Sequence, residues 1–130
     1  MRLEADIKSY LVDAGQSTSL LRLGRLPPDP DDAVALIAYT GLRPEFVHNV
    51  AGISRDRPAL QVLVRSKVYA TAQATAQAIY ELLAGLVNET INTTFYQRCE
   101  PLGSPFLMNR DANERAIIAA NYYCSRTLAT

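Results

Sequence analysis

Few side chains in this 130-residue chain could carry chemistry. There is one histidine, His48, and there are two cysteines, Cys99 and Cys124. A zinc site draws about four ligands of these types, and His48 has no second histidine and no nearby cysteine to join it. It reads as a surface loop residue that titrates near neutral pH. Asp29, Asp31 and Asp32 cluster in "PPDPDD", but the glycine and closing glutamate of a calcium loop are missing. That stretch is a solvated acidic turn. Glycines stand at 15, 24, 41, 52, 85 and 103, too scattered to cradle a phosphate. No G-x-S-x-G elbow is present, and "LGSP" reads as a turn. The expectation is a protein with no catalytic residue, no bound metal and no cofactor.

The charged groups suggest contact rather than reaction. Arg65 stands at the exit of a predicted strand, and Arg110, Asp111, Asn113 and Arg115 crowd the stretch before the last one. One reading makes them contacts to a partner. The other makes them local ion pairs and turn hydrogen bonds, each worth up to about 1 kcal/mol when exposed. Thirteen basic and thirteen acidic residues cancel, so the chain lacks the basic footprint of a nucleic-acid binder. With 48% hydrophobic and 20% charged residues the composition is that of a globular protein. No apolar run approaches the roughly 18 residues of a membrane span. Glu4 and Asp6 stand where a signal peptide would be basic, so synthesis in the cytoplasm is expected. The sequon-like triplets at Asn88 and Asn92 then read as accidents.

The elements that must position these residues follow from periodicity. Leu3, Ile7, Tyr10, Leu11 and Ala14 make a first helix, stopped by Gly15. "STSLLRLGRLP" and "AVALIAYTG" read as two strands, joined most simply as a hairpin. Residues 42–58 show no clean period and read as a long loop carrying Phe46, Val47, Val50 and Ile53. "PALQVLVRSKVYATAQATAQAIYELL" is a strand feeding a helix. In that helix Ala72, Ala76, Ile79, Leu83 and Leu86 form one stripe, with Ala70, Ala74 and Ala78 beside it. The small stripe packs the helix closely on its own sheet, or part of it meets another subunit. "TTFYQRCEPLGSP" is a strand, "LGSPFLMNRDANE" a loop and "RAIIAANYYCSR" the last strand. A hairpin loop centred near Met108 puts Cys99 opposite Ile117 and Cys124 opposite Asn92, so the thiols are expected to lie roughly 23 Å apart, unbridged.

The result is one α+β domain over residues 1–130. It is a single mixed sheet of about five strands with two helices packed on it, ordered helix–strand–strand–strand–helix–strand–strand, with a right-handed crossover. Phe46, Val47, Phe106, Leu107 and Met108, beside arginines, are the residue types that interface cores favour.

Four stretches together resemble the tail terminator, or tail completion, proteins of long-tailed bacteriophages. They are the strand "LQVLVRS" with Arg65, the helix ending "IYELL", the strand ending "EPLGSP", and "NRDANERAIIAANYYC" with Arg110, Asp111 and Asn121. The resemblance covers residues 58–125 and does not extend to 42–58. It implies a structural virion protein, non-enzymatic and without cofactor. Such proteins form a hexameric homo-oligomeric ring at the head-proximal end of the tail tube. The ring ends tube polymerisation and meets the tail tube protein on one side and the head connector on the other. DNA only passes through its lumen, and no membrane is involved. Together with the apolar residues of the two irregular stretches, it makes Phe46, Val47, Arg65, Phe106, Leu107, Met108, Arg110 and Asp111 the expected interface residues. The alternatives are another head–tail connector component, a head completion or stopper protein, and an unrelated small α+β ligand-binding domain using Tyr122 or Tyr123.

Overall fold

The computed structural model describes residues 3–16, 18, 20–45 and 55–127, with the side chains of 40 and 42–45 left aside. Two helices, α1 (Leu3–Asp13) and α2 (Tyr69–Ala84), pack on a mixed sheet. The sheet has seven strands: β1 (Leu21–Leu23), β2 (Ala33–Glu45), β3 (Arg55–Ser66), β4 (Val87–Ile91), β5 (Thr94–Pro101), β6 (Phe106–Arg110) and β7 (Ala116–Thr127). The spatial order is β1-β2-β3-β7-β5-β4, and β6 pairs β7 beside β5. The α+β class and the two-helix layer are as expected; the strand count is higher by β4 and β6.

The helices cover one face of the sheet. The spacing of Leu3, Ile7 and Leu11 on α1, and of Ala72, Ala76, Ile79 and Leu83 on α2, brings each set onto one side of its helix. All seven are buried. They meet Val34, Leu36, Leu60, Val62, Val64, Ile118 and Tyr122, which alternate along β2, β3 and β7. The stripe expected on α2 is the core stripe. Ala70 and Ala74 beside it are exposed.

Four expectations are corrected. β1 and β2 are parallel, with Leu21 opposite Val34 and Leu23 opposite Leu36. β1 is so short that the stretch from Gly24 to Asp32 can carry the chain back to its start, so no hairpin is needed. Residues 42–58 are not all loop: β2 and β3 continue pairing to Glu45 opposite Arg55, past register shifts after Tyr39 and Leu42. Pro44 and Pro58 and the shifted register hide the alternation there. His48, Phe46, Val47, Val50 and Ile53 lie outside the described residues. Third, part of 102–114 is strand, because β6 pairs β7 from Phe106 opposite Ala119 to Arg110 opposite Ala116.

The fourth correction concerns the cysteines. The turn before β7 is centred not on Met108 but between Asp111 and Arg115, whose backbones bond each other. That slides β5 along β7 and puts Cys99 directly opposite Cys124. Their sulfurs are 3.1 Å apart, and both residues are buried. The Cys99 amide donates to the Leu86 carbonyl at 3.2 Å, away from β7. A strand residue points its N–H and C=O to the same side, so Cys99 and Cys124 form a non-hydrogen-bonded pair, the kind with the closer side chains. Pro101, opposite Tyr122, sits in the same phase. Its missing N–H therefore costs the ladder to β7 nothing. Leu102, one residue on, donates to the Asn121 carbonyl at 2.9 Å.

Candidate assembly surface

The face of the sheet opposite the helices is covered by no helix or strand among the described residues, although the loop at Pro30 and Asp31 lies over its Arg65 end. Register places its side chains in rows across β2, β3 and β7: Ala33–Arg65–Ile117, Ala35–Leu63–Ala119, Ile37–Gln61–Asn121 and Tyr39–Ala59–Tyr123. Small alanines floor this face, and Tyr39 stands 44% exposed at its upper end. The Tyr39 hydroxyl donates to Asn121 Oδ1 at 3.3 Å. An open depression of about 360 Å³ is lined by Ile37, Tyr39, Gln61, Leu102 and Asn121. A second, of about 260 Å³, continues it over Gly103, Ser104 and Phe106. Neither is lined by an acidic, basic, histidine or cysteine side chain.

β6 forms the rim of this face. It is exposed along its whole length, with Phe106 at 49%, Leu107 at 45% and Met108 at 43%. Pairing with β7 alternates its side chains, so Phe106 shares the open face with Ala119 while Leu107 shares the other with Ile118. Its outer edge pairs with nothing among the described residues. Arg110 closes the strand and donates to the Glu114 carbonyl at 3.3 Å. Four of the expected interface residues, Phe106, Leu107, Met108 and Arg110, are thus brought together and exposed.

Arg65 and Asp111 are placed differently. Arg65 is 4% exposed. Its guanidinium donates to the backbone carbonyls of Pro30 at 2.6 Å and Asp31 at 3.1 Å. Burial, and then the neighbouring Arg115 guanidinium, pull its pKa below the ordinary arginine range. Arg115, itself buried, donates to the Pro28 carbonyl at 2.7 Å and to Asp111 Oδ2 at 2.7 Å. Two inward arginines therefore tie the proline-rich acidic loop down to the ends of β3 and β7. Asp111 Oδ1 accepts from the Asn113 and Arg115 amides, both at 3.0 Å. Asp111 thus holds the turn before β7, and Arg65 holds the distant acidic loop against the end of β3.

A polar cluster sits at the other end of the sheet. The Tyr96 hydroxyl donates to the buried Asp6 carboxylate at 2.5 Å, and Asn92 Nδ2 donates to it at 3.1 Å. Burial and the bond to Asp6 push the Tyr96 phenol well above its ordinary range. Beside it, Arg126 makes an ion pair with Asp56 at 3.0 Å, across β3 and β7. A groove of about 380 Å³ lies between α1 and β4, lined by Tyr10, Asp13, Glu89 and Asn92. Among the described residues no group of three or more His, Cys, Asp or Glu could hold a metal, and no helix is long and apolar enough to cross a membrane.

Sequence reasoning missed Ile37, Tyr39 and Leu102. Tyr39 closes a run of apolar residues, and only the pairing to β3 shows which of its side chains share the face opposite the helices. The usable signal was the set Ala33, Ala35, Ile37 and Tyr39 alternating with the bulkier Val34 and Leu36.

The fold defines the class first: an α+β domain of two helices on a mixed sheet, with an exposed apolar run on β6. The family follows from comparison. The model of the bacteriophage tail terminator protein family matches residues 7–128. The chain belongs to that family and is a structural tail protein of the virion. No curated protein matches the chain at a significant level. Among solved structures it is similar to a chain of the "Virion of native gene transfer agent (GTA) particle". The identity is 16% and the TM-score 0.67, over 97% of this chain and 95% of that one. At that identity the likeness speaks for the fold.

Proposed function

We propose that this protein forms a ring at the head-proximal end of the tail tube, stops tube polymerisation and joins the tail to the head connector. It does so by contact alone, with no enzymatic step and no cofactor. The observation that carries this reading is the exposed run Phe106–Met108 on a strand with an open edge. An exposed apolar edge is a hazard for a solitary monomer and a use for a subunit. A contact from this rim onto a different surface of the next copy is heterologous, and it closes into a ring when its rotation divides a full circle. The family resemblance supports a hexameric ring, with the tail tube protein and the connector on its two ends and DNA passing through its lumen.

The test is the mass of the purified protein in solution, read beside negative-stain images and a tube-capping assay. Wild type is expected to give rings and to halt the growth of tail tube protein. Phe106→Ser with Leu107→Ser is expected to stay folded and lose both. A monomer that caps nothing, or a protein that binds filled heads and not tubes, would overturn the proposal. The second of these outcomes would favour a head completion or stopper role.

A further inference from the structure

We propose that Cys99 and Cys124 are a reversible disulfide site, closing within the subunit when the protein passes from a reducing cytoplasm into an oxidising medium, and thereby stapling β5 to β7. The register puts the two residues face to face, and their sulfurs already touch at 3.1 Å. The pair is of the non-hydrogen-bonded kind, because the Cys99 amide is bonded to Leu86 on the opposite side. In such pairs the Cα atoms stand about 4.5 Å apart, inside the span a disulfide accepts. Closure therefore needs little movement of either strand. Virion surfaces are among the places where disulfides persist, and the cytoplasm is not.

The oxidant is a small uncharged peroxide. One cysteine sulfur, as thiolate, attacks the O–O bond; that bond breaks, hydroxide leaves and takes up the proton, and a sulfenic acid forms. The second sulfur attacks the first, the S–S bond forms, the S–O bond breaks, and the hydroxyl leaves with the remaining proton as water. Two thiols and one peroxide give one disulfide and two waters. A small dithiol reductant reverses the change.

Burial sets the rate. Both thiols lie under α2, at 3% and 0% exposure. Their mutual hydrogen bond, and then burial, push the Cys99 thiol above its ordinary range. The attacking species is the thiolate, so closure is slow and the pair stays reduced through brief exposure. Large thiol reagents are shut out. The linked strand carries β4 on its other side and runs through Leu102–Pro105 into β6, so the staple fixes the root of the exposed rim. This inference stands whether or not the ring forms.

The experiment treats native wild-type protein with dilute hydrogen peroxide, removes the peroxide, then denatures and alkylates. The expected result is a protein with no alkylated cysteine, a peptide pair joining Cys99 to Cys124, and a melting temperature raised by roughly 10 °C. Dithiothreitol should restore both alkylation sites and the original melting temperature. Cys99→Ala and Cys124→Ala should each abolish the shift, which also controls for oxidation of Met108. Two alkylated cysteines after peroxide, oxygen added to either cysteine, a disulfide between chains, or an equal shift in either variant would overturn the proposal. If the variants do not fold, the peptide map of wild type decides alone.

Discussion

The Asp111 carboxylate shows how one side chain builds a turn. It accepts the Arg115 and Asn113 amides and the Arg115 guanidinium. These bonds, the Arg115 amide first, hold its pKa below the ordinary carboxylate value of 3.8, against a smaller upward push from burial. The folded chain thus binds this proton more weakly than the unfolded one. The stabilisation is complete above the ordinary value and is lost as pH falls through the lower folded value. Asp111→Asn should therefore flatten the acid limb of the stability curve below about pH 4, read as urea midpoints at stepped pH. An acid limb as steep as that of wild type would show that the turn owes nothing to this charge. The sequence marked "RDANER" as a polar cluster and offered the local reading beside the partner one. It could not show that Arg65 and Arg115 both turn inward onto a loop that lies some 35 to 87 residues away along the chain. Nothing local encodes such a long-range contact.

At the scale of elements, α2 was the most legible part of the chain. Its spacing of small and large apolar residues is helical throughout, and the predicted stripe is the buried one. Ala76 is 3% exposed against the sheet. Ala76→Leu should overpack that contact and cost about 1–3 kcal/mol, whereas Ala74→Leu, on the exposed side, should cost under about 0.5 kcal/mol. Equal denaturant midpoints for the two variants would contradict this packing. Gly41 makes a sharper case. A Cβ there would lie 2.1 Å from the Arg57 carbonyl oxygen, at the shift in register between β2 and β3. Such crowding by backbone cannot be relieved by turning a side chain. Gly41→Ala should break the outer pairing of these strands, with faster hydrogen exchange at Arg55 and Arg57, and leave the pairing near Val62 intact.

β4 and β6 were missed for a shared reason. Neither buries an alternating face, since every residue of β6 and all but Ile91 of β4 are exposed. Their signals lay in backbone chemistry instead. Asn92 and Thr93, both with positive φ (48° and 70°), make the tight turn between β4 and β5. The same asparagine, read for its sequon, hid its use as a turn residue.

At the scale of the molecule, an assembling subunit should melt at a temperature that rises with its concentration. Wild type is expected to behave so, and Phe106→Ser with Leu107→Ser to melt at one temperature throughout, as calorimetry across a hundredfold range would show. A flat wild-type curve would count against assembly through this rim. The family and the helical layer were legible because α2 and the last strand keep their patterns; the open face was not, because exposure is a property of the whole sheet. The place of β7 within that sheet has one more consequence. Ala116–Thr127 follows the other six strands along the chain, yet it lies in the middle, with β3 on one edge and β5 and β6 on the other. A chain lacking it would leave β3 and β5 without a shared strand, so loss of this one segment would divide the sheet rather than trim its edge.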